Sequence, residues 1–146
     1  MDKIRYGIVG TGGMGSGHAK TMQSIEECVL AAVCDIVPEV AESVGEQYNV
    51  PYMVDYHQLI DHPDVDAIMV ATPHYFHPEI AIYAMERGKP VISEKPIAVT
   101  VSQADAMVEA ARRTGTPFAV MHQSRSEPVW RLAGELVKSG RLGEIY

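Results

Sequence analysis

Apolar segments of strand length alternate along the chain with segments in which apolar residues recur at helical spacing. The apolar runs that predict strands cover residues 4–9, 28–34, 66–71, 91–93 and 118–121, with a short extended piece at 51–54. Helices are predicted over residues 13–23, 38–48, 78–87, 101 to near 115 and 128 to 140. Continuous apolar runs are typical of strands buried on both faces of a sheet. The alternation therefore predicts an α/β fold, a doubly wound parallel sheet with right-handed crossovers.

Several helix ends carry local signals. Pro38 and Pro128 suit a first helical position, Asp55 can cap a brief helix at Tyr56–Ile60, and Thr100 with Gln103 matches a capping box. The helix after Thr100 is predicted to pack through Val101, Ala104, Met107, Val108 and Ala111, and the last helix through Val129, Leu132, Ala133, Leu136 and Val137. Residues 143–146 resemble the start of another strand. We also expect exposed apolar surface on the last helix, where a second domain would pack.

A glycine motif follows the first predicted strand and opens the first helix. It reads Gly10-x-Gly12-x-x-Gly15, and Asp35 ends the second strand twenty residues later. This order predicts a dinucleotide-binding turn: Gly10 permits the turn, Gly12 admits a pyrophosphate, and Gly15 allows close packing of the helix. The N–H groups at Gly13 and Met14 would face the phosphates. The alternative is a glycine-rich turn without a cofactor.

Composition narrows the class of protein. The chain has 146 residues, 47% of them apolar, which suits one soluble domain. Its net charge is −7 and it has no run of Lys or Arg, which argues against nucleic acid or an anionic membrane as a partner. Without an apolar leader or membrane span, a cytoplasmic location is expected. Cys28 and Cys34 lie about 20 Å apart on one strand, too far for a disulfide, so both are expected to be buried thiols.

Together these motifs resemble the Gfo/Idh/MocA family of NAD(P)-dependent oxidoreductases. The resemblance rests on the glycine motif with His18-Ala19, Asp35, Ala71-Thr72-Pro73-x-x-x-His77, Gly88-Lys89-Pro90-Val91 before Glu94-Lys95-Pro96, Arg125-x-x-Pro128, and Gly140-x-x-Gly143-x-Ile145. One departure is His74, where the family usually has Asn. The resemblance implies a Rossmann fold and hydride transfer between NAD(H) and a hydroxyl or carbonyl of a sugar, cyclitol or related polyol. Some family members use the same hydride transfer in other reactions, such as glycoside cleavage.

The resemblance also implies a domain organisation. Family members are usually at least twice this long, and a second domain carries most substrate contacts and the oligomer interface. Residues 1–123 would then be the NAD-binding domain, and residues 124–146 a linking helix and the start of a second domain that is otherwise absent from this chain. The full-length protein is expected to be a homo-oligomer. The isolated chain is expected to bind NAD(H) without turnover.

Candidate site residues cluster where predicted strands end, because ligands of open parallel sheets bind beyond the carboxyl ends of the strands. Lys95 is the predicted catalytic residue and a substrate contact, since an ammonium there stabilises charge on the reacting oxygen; the alternative is a surface lysine. Glu94 is expected to hold Lys95 or the nicotinamide ribose, or to be structural. Thr72, Pro73, His74 and His77 are assigned to the cofactor together with Glu94 and Lys95.

Three further assignments keep an alternative. His77 faces the cofactor or caps its own helix. His18 is favoured as a surface or helix-packing residue, and the alternative is that it faces the cofactor. Arg125 contacts substrate or cofactor, or forms an ion pair. No metal is expected, because neither the His74–His77 pair nor the histidines at 57 and 62 has a convincing set of further ligands.

Asp35 predicts the choice of cofactor. A carboxylate accepts hydrogen bonds from a free ribose 2′-hydroxyl and repels a 2′-phosphate, and residues 36–38 offer no Arg. NAD is therefore favoured over NADP. The competing functional hypothesis is a non-catalytic NAD(H)-binding or redox-sensing module. S-adenosylmethionine binding would fit the glycine turn but not Glu94-Lys95-Pro96.

Overall fold

Six parallel strands form one sheet in the computed structural model, which describes residues 3–145. The strands are β1 Ile4–Val9, β2 Cys28–Cys34, β3 Tyr52–Met53, β4 Ala67–Val70, β5 Val91–Ser93 and β6 Phe118–Val120. Their order across the sheet is β3-β2-β1-β4-β5-β6, and every neighbouring pair is parallel. The chain starts at the centre with β1, builds outward to β3, and crosses back to β4 on the other side of β1. This order confirms the predicted Rossmann-type topology.

Helices fill the connections between the strands. They are α1 Gly13–Met22, α2 Pro38–Tyr48, α3 Tyr56–Ile60, α4 His77–Glu86, α5 Val101–Thr114 and α6 Pro128–Lys138. The predicted caps are present: the Asp55 side chain accepts from the His57 N–H, and Thr100 and Gln103 form a reciprocal capping box. Gly115 ends α5 in the left-handed region, with φ +68°, which glycine adopts without a steric penalty.

Two apolar layers lie on opposite faces of the sheet. Along β4, Ile68 and Val70 point to the layer that includes Met85 of α4, because side chains alternate between the faces of a strand. Met69 points to the other layer, which includes Ala19 of α1. With helices on both faces, the central strands are almost fully buried, and this explains why they read as continuous apolar runs.

The packing face of α5 differs from the prediction. Met107 and Ala110 are buried, whereas Val101 is 78% exposed and Val108 is 36% exposed. Ala104, Met107 and Ala111 of the predicted stripe lie inward, and the packing face extends to Ala110 in place of Val101 and Val108. The predicted inward positions of Val101 and Val108 are therefore wrong.

The last helix, α6, has no buried residue among those described. Trp130 is 58% exposed, and Val129, Leu132 and Val137 are also exposed, so the predicted inward packing of α6 is wrong for residues 3–145. The expectation of exposed apolar surface on this helix is confirmed. Residues 143–145 form no strand, and Tyr146 lies outside the described residues.

Both cysteines are free thiols, as predicted, and both are buried in β2. Burial and the nearby charges of Asp35 and Asp55 raise the pKa of Cys34 to about 12. Between residues 3 and 145, no helix is both long enough and apolar enough to cross a membrane.

Candidate functional site

The carboxyl ends of the strands bring together segments that are far apart in sequence. Strand order reverses between β1 and β4, so the turns after these two strands diverge and leave a crevice between them. The turn after β1 begins at Gly10 and the turn after β4 at Thr72, and these residues are close enough that a Cβ on Gly10 would lie 2.7 Å from Thr72 N. The turns after β2 and β5 flank them with Asp35 and Glu94. The turns that carry Thr72 and Glu94 follow neighbouring strands and lie at one edge of the sheet, as predicted.

The glycine turn has the close contacts that its motif predicts. Gly10 has φ +88°, in the left-handed region that favours glycine. A Cβ on Gly15 would overlap the carbonyl oxygen of Gly10. A tight turn at Gly10 and close packing of α1 at Gly15 are therefore structural requirements of this loop.

The start of α1 is open on its outer side. Apart from the adjacent residues and the backbone of α1 itself, no described atom lies within 4 Å of a Cβ built on Gly12 or Gly13. Gly12 is the N-cap without a side-chain cap, and the first turn of α1 contains no acidic residue. The first N–H groups of a helix and its dipole favour an anion at such an end. This end of α1 fits the predicted pyrophosphate contacts of Gly12, Gly13 and Met14.

Asp35 is held at the end of β2 by main-chain donors. Its Oδ2 accepts from Thr11 N–H at 2.8 Å, and its Oδ1 accepts from Val37 N–H at 3.1 Å. Thr11 lies within the glycine turn and is almost fully buried. The carboxylate is thereby fixed at the edge of the crevice, where a ribose would meet it.

An apolar cleft of about 180 Å³ adjoins Asp35. Its walls include Ile36, Tyr56, Phe76 and Ile80, and its acidic groups are Asp35 and Glu79. The described residues that line it include no Lys or Arg. Sequence reasoning did not assign these wall residues. A signal was available, since Tyr56 and Phe76 follow the short β3 and β4 and therefore lie at the same edge of the sheet.

The turn after β4 contains a buried hydroxyl without a partner. Thr72 Oγ1 has no hydrogen-bond partner within the described part of the chain. Pro73 and His74 follow it on the exposed rim, where residues His74–Phe76 form a single 3₁₀ turn. An unpaired buried hydroxyl is costly unless a ligand or water satisfies it. Thr72 therefore fits the predicted role as a cofactor contact.

His77 is fully buried and lies between two turns. Its Nε2 is 2.8 Å from Thr72 O, and its Nδ1 is 3.0 Å from Pro96 O. With both ring nitrogens on backbone carbonyls, the ring has no free nitrogen for a cofactor, and it makes no capping hydrogen bond to α4. This geometry supports neither the predicted cofactor contact of the His77 side chain nor its helix-capping alternative.

Glu94 is only 5% exposed, and both its carboxylate oxygens have partners. Oε1 lies 2.8 Å from His18 Nε2, and Oε2 accepts the backbone N–H of Lys95 at 3.1 Å. Glu94 thus holds the main chain of Lys95 and not its ammonium. His18 does more than the expected surface or packing role, because its ring is also the hydrogen-bond partner of the buried Glu94 carboxylate. The two residues are 76 positions apart, so no local pattern indicates their contact.

Lys95 is exposed at the rim of the crevice. Within residues 3–145 its ammonium forms no hydrogen bond or ion pair, although the turn beneath it is fixed by Glu94. Arg125 is exposed in the 3₁₀ turn Gln123–Ser126 and has no ion pair with the described residues, so the ion-pair alternative is not observed. The described residues also contain no group of three or more His, Cys, Asp or Glu that could hold a metal ion.

Comparison with known proteins identifies the fold family. Residues 4–122 match the family model GFO_IDH_MocA, described as an oxidoreductase family with an NAD-binding Rossmann fold. The chain is 34% identical to 2,7-anhydro-N-acetylneuraminate hydratase of Mediterraneibacter gnavus over 99% of its own length and 38% of that protein. It therefore spans about two fifths of the length of such relatives.

Among the solved structures that are similar to this chain, two that were solved with bound ligands cover 99% of it. A WlbA dehydrogenase from Bordetella pertussis, solved with NADH and UDP-GlcNAcA, is 30% identical with a TM-score of 0.91 over 44% of its chain. Scyllo-inositol dehydrogenase from Lactobacillus casei, solved with NAD(H) and scyllo-inositol, is 28% identical with a TM-score of 0.90 over 43% of its chain. With the open glycine turn and the fixed Asp35, these matches show that the chain belongs to the Gfo/Idh/MocA oxidoreductase family as an NAD-binding Rossmann domain.

Proposed function

We propose that this chain is the cofactor domain of an enzyme that transfers hydride between NAD(H) and a hydroxyl or carbonyl carbon of a sugar, cyclitol or related polyol. The observation that carries the proposal is the ammonium of Lys95. It has no partner within the described residues, yet the turn that bears it is held by a buried carboxylate next to the glycine helix. The substrate class is supported by the names of the similar proteins, which include scyllo-inositol, a nucleotide sugar and an anhydro-sialic acid.

The crevice offers contacts along the whole length of a dinucleotide. The N–H groups at Gly12, Gly13 and Met14 would hold the pyrophosphate at the start of α1. Asp35 would accept hydrogen bonds from the adenosine ribose, and the apolar cleft beside it would take the adenine. Thr72, Pro73 and His74 would border the nicotinamide half, with Thr72 Oγ1 as a polar contact. When bound, the nicotinamide supplies the hydride chemistry.

Lys95 would act on the substrate oxygen. During oxidation of an alcohol, hydride leaves the carbon and a proton leaves the hydroxyl. An ammonium at Lys95 Nζ would donate a hydrogen bond to that oxygen and stabilise its developing negative charge, whereas the neutral amine would accept the proton. A redox sensor has no need of such an amine, and Arg125 on the same edge of the sheet is a second candidate for contact with substrate.

We further propose that the site prefers NAD(H) to NADP(H). Asp35 and Glu79 both line the cleft and would repel a 2′-phosphate, and no basic residue among the described lining residues would compensate. Calorimetric titration with NADH and NADPH should give at least about tenfold tighter binding of NADH, a difference that corresponds to about 1.4 kcal/mol.

Two variants make this titration specific. Gly12→Val should abolish binding, while Gly17→Val, on the exposed side of the same helix, should retain it. Asp35→Ser should reduce the preference for NADH. Tighter binding of NADPH by the parent chain, or an unchanged preference in Asp35→Ser, would refute the assignment of Asp35.

We propose that residues 1–123 bind the cofactor and that residues 124–146 link to a second domain. The exposed apolar residues of α6 and the limited share of each relative that is matched support this arrangement. The isolated chain should then bind NADH without turnover, and a homo-oligomeric full-length protein should oxidise a member of a polyol panel. Lys95→Met in that protein should bind NADH but lose turnover. Polyol turnover that survives Lys95→Met would contradict the catalytic role.

A further inference from the structure

The turn that carries Lys95 is tied to α1 by a buried hydrogen-bonded pair. Glu94 uses one carboxylate oxygen for His18 Nε2 and the other for the Lys95 N–H, at 2.8 and 3.1 Å. Its own N–H continues the sheet by donating to Val70 O at 2.8 Å. A buried carboxylate requires donors for its oxygens. The Lys95 N–H comes from within the turn, so His18 is the donor that fixes this carboxylate to α1.

The same turn is tied on its other side to the turn after β4. His77 Nδ1 lies 3.0 Å from Pro96 O, and His77 Nε2 lies 2.8 Å from Thr72 O. A neutral imidazole donates from only one nitrogen, whereas an imidazolium donates from both. In either state the fully buried ring spans the turn that carries Lys95 and the turn that carries Thr72.

We propose that His18 and His77 are positioning residues for Lys95, holding its turn from two sides. This inference rests on the proposed role of Lys95 in hydride transfer. The Lys95 side chain is exposed and has no partner among residues 3–145, so the protein controls its place only through the main chain of the turn. Neither histidine contacts the reacting atoms in this arrangement; each acts through Glu94 or Pro96. Supporting residues of this kind keep a reactive group within the narrow range of positions that catalysis needs.

The two histidines allow substitutions that separate hydrogen bonding from size. Gln places its amide nitrogen near the position of a histidine Nε2, and Asn places its amide nitrogen near the position of Nδ1. His18→Gln therefore keeps a donor for Glu94, while His18→Leu keeps the bulk and removes the donor. For His77, Asn retains a donor toward Pro96 O and Gln retains one toward Thr72 O.

The test is amide hydrogen exchange in the isotope-labelled chain, read at the Lys95 N–H. The Val91 N–H, at the start of β5, donates to Pro117 O and serves as the internal reference. Relative to Val91, His18→Leu should speed exchange at Lys95 by about tenfold or more, the effect of losing a hydrogen bond to a charged group. His18→Gln should restore it to within about threefold.

The His77 variants give an ordered series. His77→Leu should also speed exchange at Lys95, His77→Asn should come closest to the parent chain, and His77→Gln should lie between them. His62→Gln is the matched control, because His62 lies in the loop before β4, at the opposite edge of the sheet. It should leave the Lys95 exchange rate unchanged.

A merely structural role would give a different result. The proposal is refuted if His18→Leu and His77→Leu lower the midpoint of thermal unfolding while exchange at Lys95 rises no more than at Val91. It is equally refuted if His18→Gln is as defective as His18→Leu. The exchange measurements do not require turnover. An active Lys95→Met enzyme would refute the catalytic role of Lys95, whereas unchanged exchange at Lys95 in the histidine variants would refute their role in fixing the turn, so the two failures can be distinguished.

Discussion

Cationic side chains at the two edges of the sheet differ in whether they have partners among the described residues: Arg5 and Lys89 at the amino edge do, and Lys95 at the carboxyl edge does not. At the amino edge, Arg5 forms ion pairs with Asp66 and Asp64 at 2.8 and 2.7 Å. Lys89 Nζ donates to two backbone carbonyls there, His62 O at 2.8 Å and Val65 O at 2.7 Å. At the carboxyl edge, by contrast, the ammonium of Lys95 has no partner within residues 3–145.

This difference separates groups that stabilise the fold from groups reserved for a ligand. At the amino edge, the guanidinium of Arg5 and the ammonium of Lys89 have partners among the described residues. The carboxyl edge retains an unpaired ammonium, an unpaired hydroxyl at Thr72 and open space over Gly12. A buried hydroxyl without a partner costs stability, so the Thr72 hydroxyl at this open edge points to a ligand that completes it.

The largest expected effect concerns Gly15, where the glycine turn is packed most tightly. Gly15→Ala places a Cβ on the carbonyl oxygen of Gly10, and backbone cannot move aside as a side chain can. We expect a loss of about 3 kcal/mol or more in the free energy of unfolding, measured by urea denaturation. Gly17→Ala, in open space on the same helix, should instead raise stability by about 0.5–1 kcal/mol. Near-equal stabilities of the two variants would contradict the packing described here.

An intermediate effect should distinguish the two lysines. Lys89→Met removes the ammonium that donates to two backbone carbonyls, of which His62 O keeps the Val65 N–H as a donor, so we expect a loss of about 1–3 kcal/mol in the free energy of unfolding. Lys95→Met removes no hydrogen bond that the described residues make and should change stability by less than about 0.5 kcal/mol. Chemical denaturation of both variants measures the difference. Equal losses would remove the contrast between the edges.

The smallest effect is a pH dependence at the amino edge. Hydrogen bonds from Arg5 lower the pKa of Asp66 from 3.8 to about 2. Because the folded-state pKa is lowered, the stabilisation is present above the unfolded-state value of about 4 and is lost as pH falls toward 2. Both side chains are exposed and screened by solvent, so the effect should be smaller than that of Lys89→Met.

Asp66→Asn provides the measurement for this pair. Between pH 5 and pH 3, the parent chain should lose more unfolding free energy in urea than the variant does. The Asp55 carboxylate, whose pKa is lowered mainly by the His57 N–H, stays intact in both chains and cancels in the comparison. Identical pH dependence of the two proteins would show that Arg5 does not hold the Asp66 carboxylate in solution.

The structural features that could be predicted are those determined by short stretches of sequence. The bounds of β2 and β5 and the capping box at Thr100 are as predicted, because short-range periodicity and capping chemistry fix them. The stripe of α5 was predicted only in part, because neighbouring stripes of that helix are also apolar and its packing on α4 selects the face that includes Met107 and Ala110.

The support of the site was not predictable from the sequence. The glycine turn and Asp35 follow spacing rules, so they were found. The partners of His18 and His77 are set by how separate turns meet at the edge of the sheet, and a histidine in a sequence does not indicate which carbonyl or carboxylate its ring will reach. Sequence reasoning therefore located the groups that face a ligand better than the groups that hold them.

The rate at which the buried Cys34 thiol is alkylated reports local opening of this domain. Thiol reagents attack the thiolate, and Cys34 is both shielded within β2 and held in the protonated state by a pKa of about 12. Its alkylation rate therefore depends on how often this part of the sheet opens. Cys34 also borders the cleft beside Asp35. A ligand that binds there should therefore slow alkylation of Cys34 by the factor by which it lowers the population of the open state.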